Sequence, residues 1–232
     1  MPKTFTEWTV LPHKPIEKIA DNLWRVSGKM GDVQRQMVLA RRKDGGVVVY
    51  NGVALEEPAM KELEAWGAPK ILVVPNGYHR QDAAIWKKRY DDLKVVAPPG
   101  GRKRVAKVVA VDHVTEDAPK DDDVSLFSMD GCAAETCMQI RSNGDVTLVF
   151  SDTLMNQPKV GGIIGFFLAP TGHVAAPRVM RWFAIKDKRA FAAHLDKLAE
   201  LPGLKRILFG HGAPIDTDPA GALRKVSAQL TK

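Results

Sequence analysis

Residues 70–86, KILVVPNGYHRQDAAIW, constrain this chain more than any other stretch. Ile71-Leu72-Val73-Val74 reads as a buried strand. Pro75-Asn76-Gly77 breaks it, since Pro removes a backbone donor and Gly permits positive φ. A polar turn, Tyr78-His79-Arg80-Gln81-Asp82, then opens into a helix from about Ala83. A strand that passes through a polar turn into a helix sets side chains at the carboxyl edge of a sheet, where sites in layered α/β folds gather. The pattern of an apolar strand ending in an ionisable residue recurs at 146–152, which closes on Asp152, and at 206–211, which closes on His211. These three strand ends, each carrying a candidate metal ligand, are the main functional signal of the sequence.

The rest of the chain supplies a frame for them. Strands are predicted over 22–26, 36–41 and 47–50, with Lys43-Asp44-Gly45-Gly46 as a hairpin turn because Asp-Gly suits positive φ. A helix is predicted over 56–66, acidic in its first turn and stopped at Gly67. A strand over 94–97, a short basic helix over 102–109 and an exposed acidic loop over 117–123 follow. Further strands are predicted over 124–129, 138–141 and 146–150, with Asn143-Gly144 as a hairpin turn. An amphipathic helix over 187–201, a last strand over 207–209 and a closing helix over 219–230 complete the pattern. Residues 1–20 read as an N-terminal arm with no clear period. Two similar halves of mixed β and α predict two sheets packed together with helices outside, in one domain over 1–232.

Composition narrows the class. Hydrophobic residues make up 45% and charged residues 26%, ordinary for a globular chain. No apolar run approaches the ~20 residues of a transmembrane helix, and the first fifteen residues, MPKTFTEWTVLPHKP, are too polar for a secretory signal. A soluble, cytoplasmic protein without membrane attachment is expected. Cys132 and Cys137 make no disulfide framework and are expected as free thiols. The net charge of +7 would suit an anionic ligand or nucleic acid, but only Arg102-Lys103-Arg104 forms a tight cluster, so a solvated basic surface is expected and nucleic acid is not.

Over residues 20–230 the chain resembles the metallo-β-lactamase fold superfamily. Phe150-Ser151-Asp152-Thr153-Leu154 is similar to its strand end with a bridging Asp, and Gly210-His211-Gly212-Ala213-Pro214 to its segment bearing the final His. The His-x-His-x-Asp-His turn of that superfamily is eroded here. With His79 as the second His, Gly77 replaces the first, Gln81 the Asp and Asp82 the last His; an alignment shifted by one residue puts Asn76 at the first His and leaves His79 out. Near the third His the chain offers Cys132 or Glu135. The resemblance implies an α+β fold, a four-layer αββα sandwich with the site at the sheet edges.

Of the six histidines only His79 and His211 lie where the resemblance implies ligands, too few for a two-metal hydrolase. His79, Asp82, Asp152 and His211 give two nitrogens and two carboxylates, a set for one zinc or iron ion, with Cys132 as a further soft ligand. Asp152 or Asp82 would act as base, and Asn76, Tyr78, Glu135 and His173 would line the pocket. The function expected is hydrolysis of an ester, thioester or phosphoester at a degenerate mononuclear site. The alternative is a metal-free binding protein for a small molecule or partner on the same fold, in which His211 and Asp152 satisfy nearby backbone groups. The apolar run 161–168 in the Gly-rich stretch 161–173 reads as a wall over the site or a homodimer contact, and Trp86 and Trp182 as core anchors.

Overall fold

The computed structural model describes residues 4–30 and 33–231. Eleven strands form two sheets. The first runs in spatial order β1 (Glu17–Ala20), β2 (Leu23–Met30), β3 (Val33–Arg41), β4 (Val47–Tyr50), β5 (Pro69–Val73), β6 (Lys94–Ala97) and β7 (His113–Val114). Its first four strands pair antiparallel and β4 to β7 pair parallel. The second sheet contains β8 (Val124–Met129), β9 (Cys132–Ser142), β10 (Asp145–Phe150) and β11 (Leu204–Phe209), in order β11-β10-β9-β8, with only β10 and β11 parallel.

Alternation along the strands builds the layers. In β4, Val47 and Val49 face the helices α1 (Glu57–Trp66) and α2 (Ala83–Arg89), packing with Met60, Leu63 and the fully buried Trp86. Val48 and Tyr50 point the other way, into a core shared with Met138, Ile140, Val149 and Leu208 of the second sheet. Beyond that sheet, Leu148 and Phe150 pack on α6 (Lys188–Ala199) and α7 (Pro219–Leu230). The order of layers is therefore helix, sheet, sheet, helix, the α+β sandwich expected from the sequence. Local signals set the outer helices: Asp187 accepts from the N–H groups of Arg189 and Ala190, Asp218 accepts from Gly221, and Phe191, Leu195 and Leu198 recur on one buried face. Asn143 and Gly144 both take positive φ, 50° and 89°, as their two-residue hairpin requires.

Several expectations are corrected. Residues 1–3 of the predicted arm lie outside the described residues. The remainder is not a loose arm: the Trp8 ring lies 5.4 Å from that of Trp86, tilted by 58°, and donates its indole N–H to the Leu55 carbonyl at 2.9 Å, and Glu17–Ala20 forms the edge strand β1. The segment after β10 contains two short helices, α4 (Gly162–Leu168) and α5 (Arg178–Phe183), preceded by the four-residue α3 (Arg102–Val105) in the first half. Trp182 is no core anchor, being 50% exposed on α5. Among the described residues no helix is long and apolar enough to cross a membrane.

Candidate metal centre

All the parallel strands that flank the inter-sheet core end on the same side of the sandwich. Asn51 follows β4, Pro75-Asn76 and the His79 turn follow β5, Ser151-Asp152 follow β10 and Gly210-His211 follow β11. Backbone bonds join the sheets at this edge: Gln36 N–H donates to the Gly210 carbonyl at 3.1 Å and Thr136 N–H to that of Pro75 at 2.9 Å. The Tyr50 hydroxyl donates to the Thr136 carbonyl at 2.8 Å.

This closure brings three side chains together from positions far apart in sequence. His79 Nε2 lies 3.1 Å from Asp152 Oδ1, His211 Nε2 lies 3.3 Å from the same oxygen, and the two Nε2 atoms are 3.2 Å apart. The other end of each group is tied down. His79 Nδ1 donates to Asn51 Oδ1 at 2.9 Å, and the Asn51 amide is oriented by its own Nδ2 donating to the Gln36 carbonyl at 2.7 Å. His211 Nδ1 donates to the Gln34 carbonyl at 2.6 Å. Asp152 Oδ2 accepts from Asn76 Nδ2 at 2.8 Å, and Asn76 Oδ1 accepts in turn from the Tyr78 N–H at 2.8 Å. With both Nδ1 atoms committed to acceptors, each imidazole in its neutral form has its Nε2 lone pair facing the other ring and the carboxylate.

Three converging acceptors repel one another unless a cation lies among them. One proton can bridge a single edge of this triangle, whereas one divalent ion serves all three atoms. A tetrahedron with metal–ligand bonds of about 2.0–2.1 Å has edges of about 3.3 Å, close to the 3.1, 3.2 and 3.3 Å found here. The donor chemistry therefore fits zinc or iron, which His79, Asp152 and His211 would hold. When protons rather than a metal ion occupy the triangle, burial works against the Asp152 charge, but the charge of His79 and hydrogen bonds from both imidazoles outweigh it and hold the carboxyl well below the usual range. Burial also opposes protonation of His211; its hydrogen bond with Asp152 and that carboxylate's charge overcome this and raise its pKa.

Below the triad lies Glu135, 1% exposed. Its two oxygens accept from the N–H groups of Ser151, Asp152 and Thr153 at 2.8, 2.6 and 2.8 Å and from the Thr153 hydroxyl at 2.7 Å. Burial and then the charge of Asp152 push its carboxyl up to about 7, against the donated hydrogen bonds that favour the charged form.

Above the triad opens a cavity of about 730 Å³. Arg35, Asn76, Tyr78, His79, Asp152 and His211 line its floor, and side chains of α4 and α5 its far wall.

Compared with solved structures, the chain is similar to the DIM-1 metallo-β-lactamase exposed to ceftazidime, with a TM-score of 0.61 and 13% identity over 95% of this chain and 99% of that one. It is similar also to the TMB-1 structure, TM-score 0.61 and 11% identity over 96% and 100% of the two chains. A metallo-β-lactamase from Hirschia baltica gives 0.58 and 10% over 92% and 98%. The chain has the metallo-β-lactamase fold. The sequence itself matches no family model and no curated protein, so the likeness at these identities is one of fold.

Against this metallo-β-lactamase frame, the sequence-derived site residues sort into three groups. His79, Asp152 and His211 meet, and Asn76 and Tyr78 line the cavity beside them. Asp82 must be corrected: it is 4% exposed, with Oδ2 on Arg35 Nη2 at 2.6 Å and Oδ1 accepting the Ala54 N–H at 3.1 Å. A buried carboxylate needs a paired cation, and Arg35 supplies it away from the triad. Cys132 is likewise outside the cluster, buried in the core of the second sheet, where desolvation pushes its thiol up to about 11. Glu135 lies under the site as a strut rather than in the pocket lining, and His173 does not line the cavity. The sequence reading missed Asn51, Gln34 and Arg35. Asn51 carried a signal, since it ends a buried strand as Asp152 does; Gln34 carried none, because it acts through its backbone carbonyl.

Proposed function

We propose that this protein is a metal-dependent hydrolase in which His79, Asp152 and His211 hold one zinc or iron ion, acting on an ester, thioester or phosphoester. The observation that carries this reading is the convergence of three metal-ligating atoms, 3.1, 3.2 and 3.3 Å apart, on side chains each held by a partner at its other atom. When bound, the ion would polarise a carbonyl or phosphoryl oxygen and lower the pKa of a water. The chain's own groups supply orientation and proton handling. Asn51 and the Gln34 carbonyl fix the two ring tautomers. Asn76 fixes the Asp152 carboxylate, which is the one acidic group lining the cavity. Asp152 Oδ2 is therefore the atom suited to take a proton from attacking water.

Elemental analysis of the untagged protein beside a His211→Ala, Asp152→Asn double variant tests this. About one zinc or iron per chain, lost in the variant together with hydrolysis of p-nitrophenyl esters or phosphates, is the expected result. No bound metal, even after incubation with excess zinc or iron, would sink the hydrolase reading and leave the fold as a binding protein.

A further inference from the structure

The cavity is chemically two-sided. Its far wall is made by Ile164 and Leu168 of α4 and by Val179, Met180 and Phe183 of α5. Ile164 and Phe183 are 70% and 68% exposed, so this apolar wall faces solvent while it faces the cavity. The two helices hold each other through a separate cluster on which the cavity does not draw: Phe166 and Phe167 lie 6.1 and 6.4 Å from Trp182, and the Arg178 guanidinium lies 4.7 Å from the Phe166 ring. The wall thus has its own support, and Ile164 and Phe183 stay largely exposed beside the cavity.

The near side carries two guanidinium groups: among the described residues Arg35 and Arg104 line the cavity, and Asp152 is the carboxylate beside them. Arg35 is 7% exposed; Nη2 is taken by Asp82, but Nη1 has no hydrogen-bond partner among the described residues. Asp82 balances the Arg35 charge, and Nη1 is the donor that Arg35 has left for an anion. Arg104 is positioned by the turn of the triad itself. Its guanidinium stacks on Tyr78 at 4.4 Å, and a Cβ added at Gly77 would come within 2.8 Å of Arg104 Cδ. Gly77, where the resemblance would place a His, makes room for an arginine at the rim of the triad.

We infer that the cavity takes an anionic amphiphile, a molecule whose apolar chain lies on the α4–α5 wall and whose phosphate or carboxylate is met by Arg104 and Arg35. The inference rests on the proposed hydrolytic site and specifies its substrate class: the scissile bond lies between, or next to, an anionic group and an acyl or alkyl chain. Guanidinium donors on one side select the anionic group, and exposed wall residues select the chain by burying apolar area.

Calorimetric binding of octyl phosphate, octan-1-ol and inorganic phosphate to the purified protein tests it. Octyl phosphate should bind at least about tenfold more tightly than either of the others, as expected when a charge-assisted hydrogen bond and an apolar chain act together. Arg104→Met should reduce octyl phosphate affinity while leaving octan-1-ol unchanged. An Arg35→Met, Asp82→Asn double variant, which leaves no unpaired buried carboxylate, should do the same. Ile164→Ser with Phe183→Ser, both at exposed positions, should bring octyl phosphate down towards inorganic phosphate. Equal binding of the charged and neutral octyl compounds, or a charge preference that survives both arginine variants, would overturn the inference. Binding needs no turnover, so the two readings fail separately. Selective binding without hydrolysis removes the enzyme reading alone, and hydrolysis indifferent to charge and chain removes the substrate class alone.

Discussion

The floor and the far wall of the cavity are built on opposite plans. On the floor, each group of the triad is held at its second atom: His79 by Asn51, His211 by the Gln34 carbonyl, Asp152 by Asn76 through its side chain and by Glu135 through its backbone. On the wall, Ile164 and Phe183 are mostly exposed, and no side chain of α5 is buried. Chemistry at a metal needs donor atoms held within fractions of an ångström, so the floor uses directional bonds from rigid strand ends. Taking up an apolar chain needs area and room, which short, weakly anchored helices provide.

The sharpest way to break this comparison is to remove the strut under the floor. Glu135→Ala would leave three backbone N–H groups and a hydroxyl without their acceptor. At about 1–3 kcal/mol for each buried unsatisfied group, a loss of at least about 4 kcal/mol in urea unfolding is expected. A loss under about 1 kcal/mol would show that the Asp152 turn holds itself. Asn51→Gly probes the next level. Glycine keeps the left-handed backbone, φ 57° at Asn51, and deletes the acceptor of the His79 ring together with the donor to the Gln36 carbonyl. Metal affinity should fall about 10–100-fold, read by competition with a chromophoric chelator, with a stability loss of about 1 kcal/mol from the lost bond to the Gln36 carbonyl.

Acid unfolding of metal-free protein tests the electrostatics of the floor. The folded pKa of Asp152 lies below its unfolded value of about 3.9. The stability it contributes is therefore present above about pH 4 and lost as pH falls through the folded value. The pKa of His211 is raised instead, so its contribution is full below about pH 6.5 and lost as pH rises through the folded value. The advantage of wild type over Asp152→Asn should shrink at both ends and be largest between them; urea midpoints across pH measure it. The smallest effect is expected on the wall, where Ile164→Ser alone should change stability by no more than about 0.5 kcal/mol, measured by the same urea unfolding.

Much of the frame was legible because its elements obey simple periods. The strand predicted over 47–50 is β4, that over 94–97 is β6, and the helix over 219–230 is α7. The missed elements lack such signals. β1 is a four-residue edge strand with no buried residue, β7 has two residues, and α4 carries two glycines while most of its apolar side chains face out. The same reason misplaced Trp182: an apolar residue reads as core unless the fold leaves its helix on the outside.

By itself the sequence determined that buried strands would end in His79, Asp152 and His211 on one side of a layered α+β fold. It did so because a residue's position at a strand end follows from its immediate neighbours. The tertiary structure alone decided which polar group meets which. His79 and His211 are 132 residues apart, and His211 and Gln34 177 apart. Such pairings depend on the register between two sheets, which no local period encodes. Packing within each half turned Asp82 to Arg35 and made Glu135 a support for Asp152, and the closed fold set an arginine nitrogen and an exposed apolar wall around one cavity.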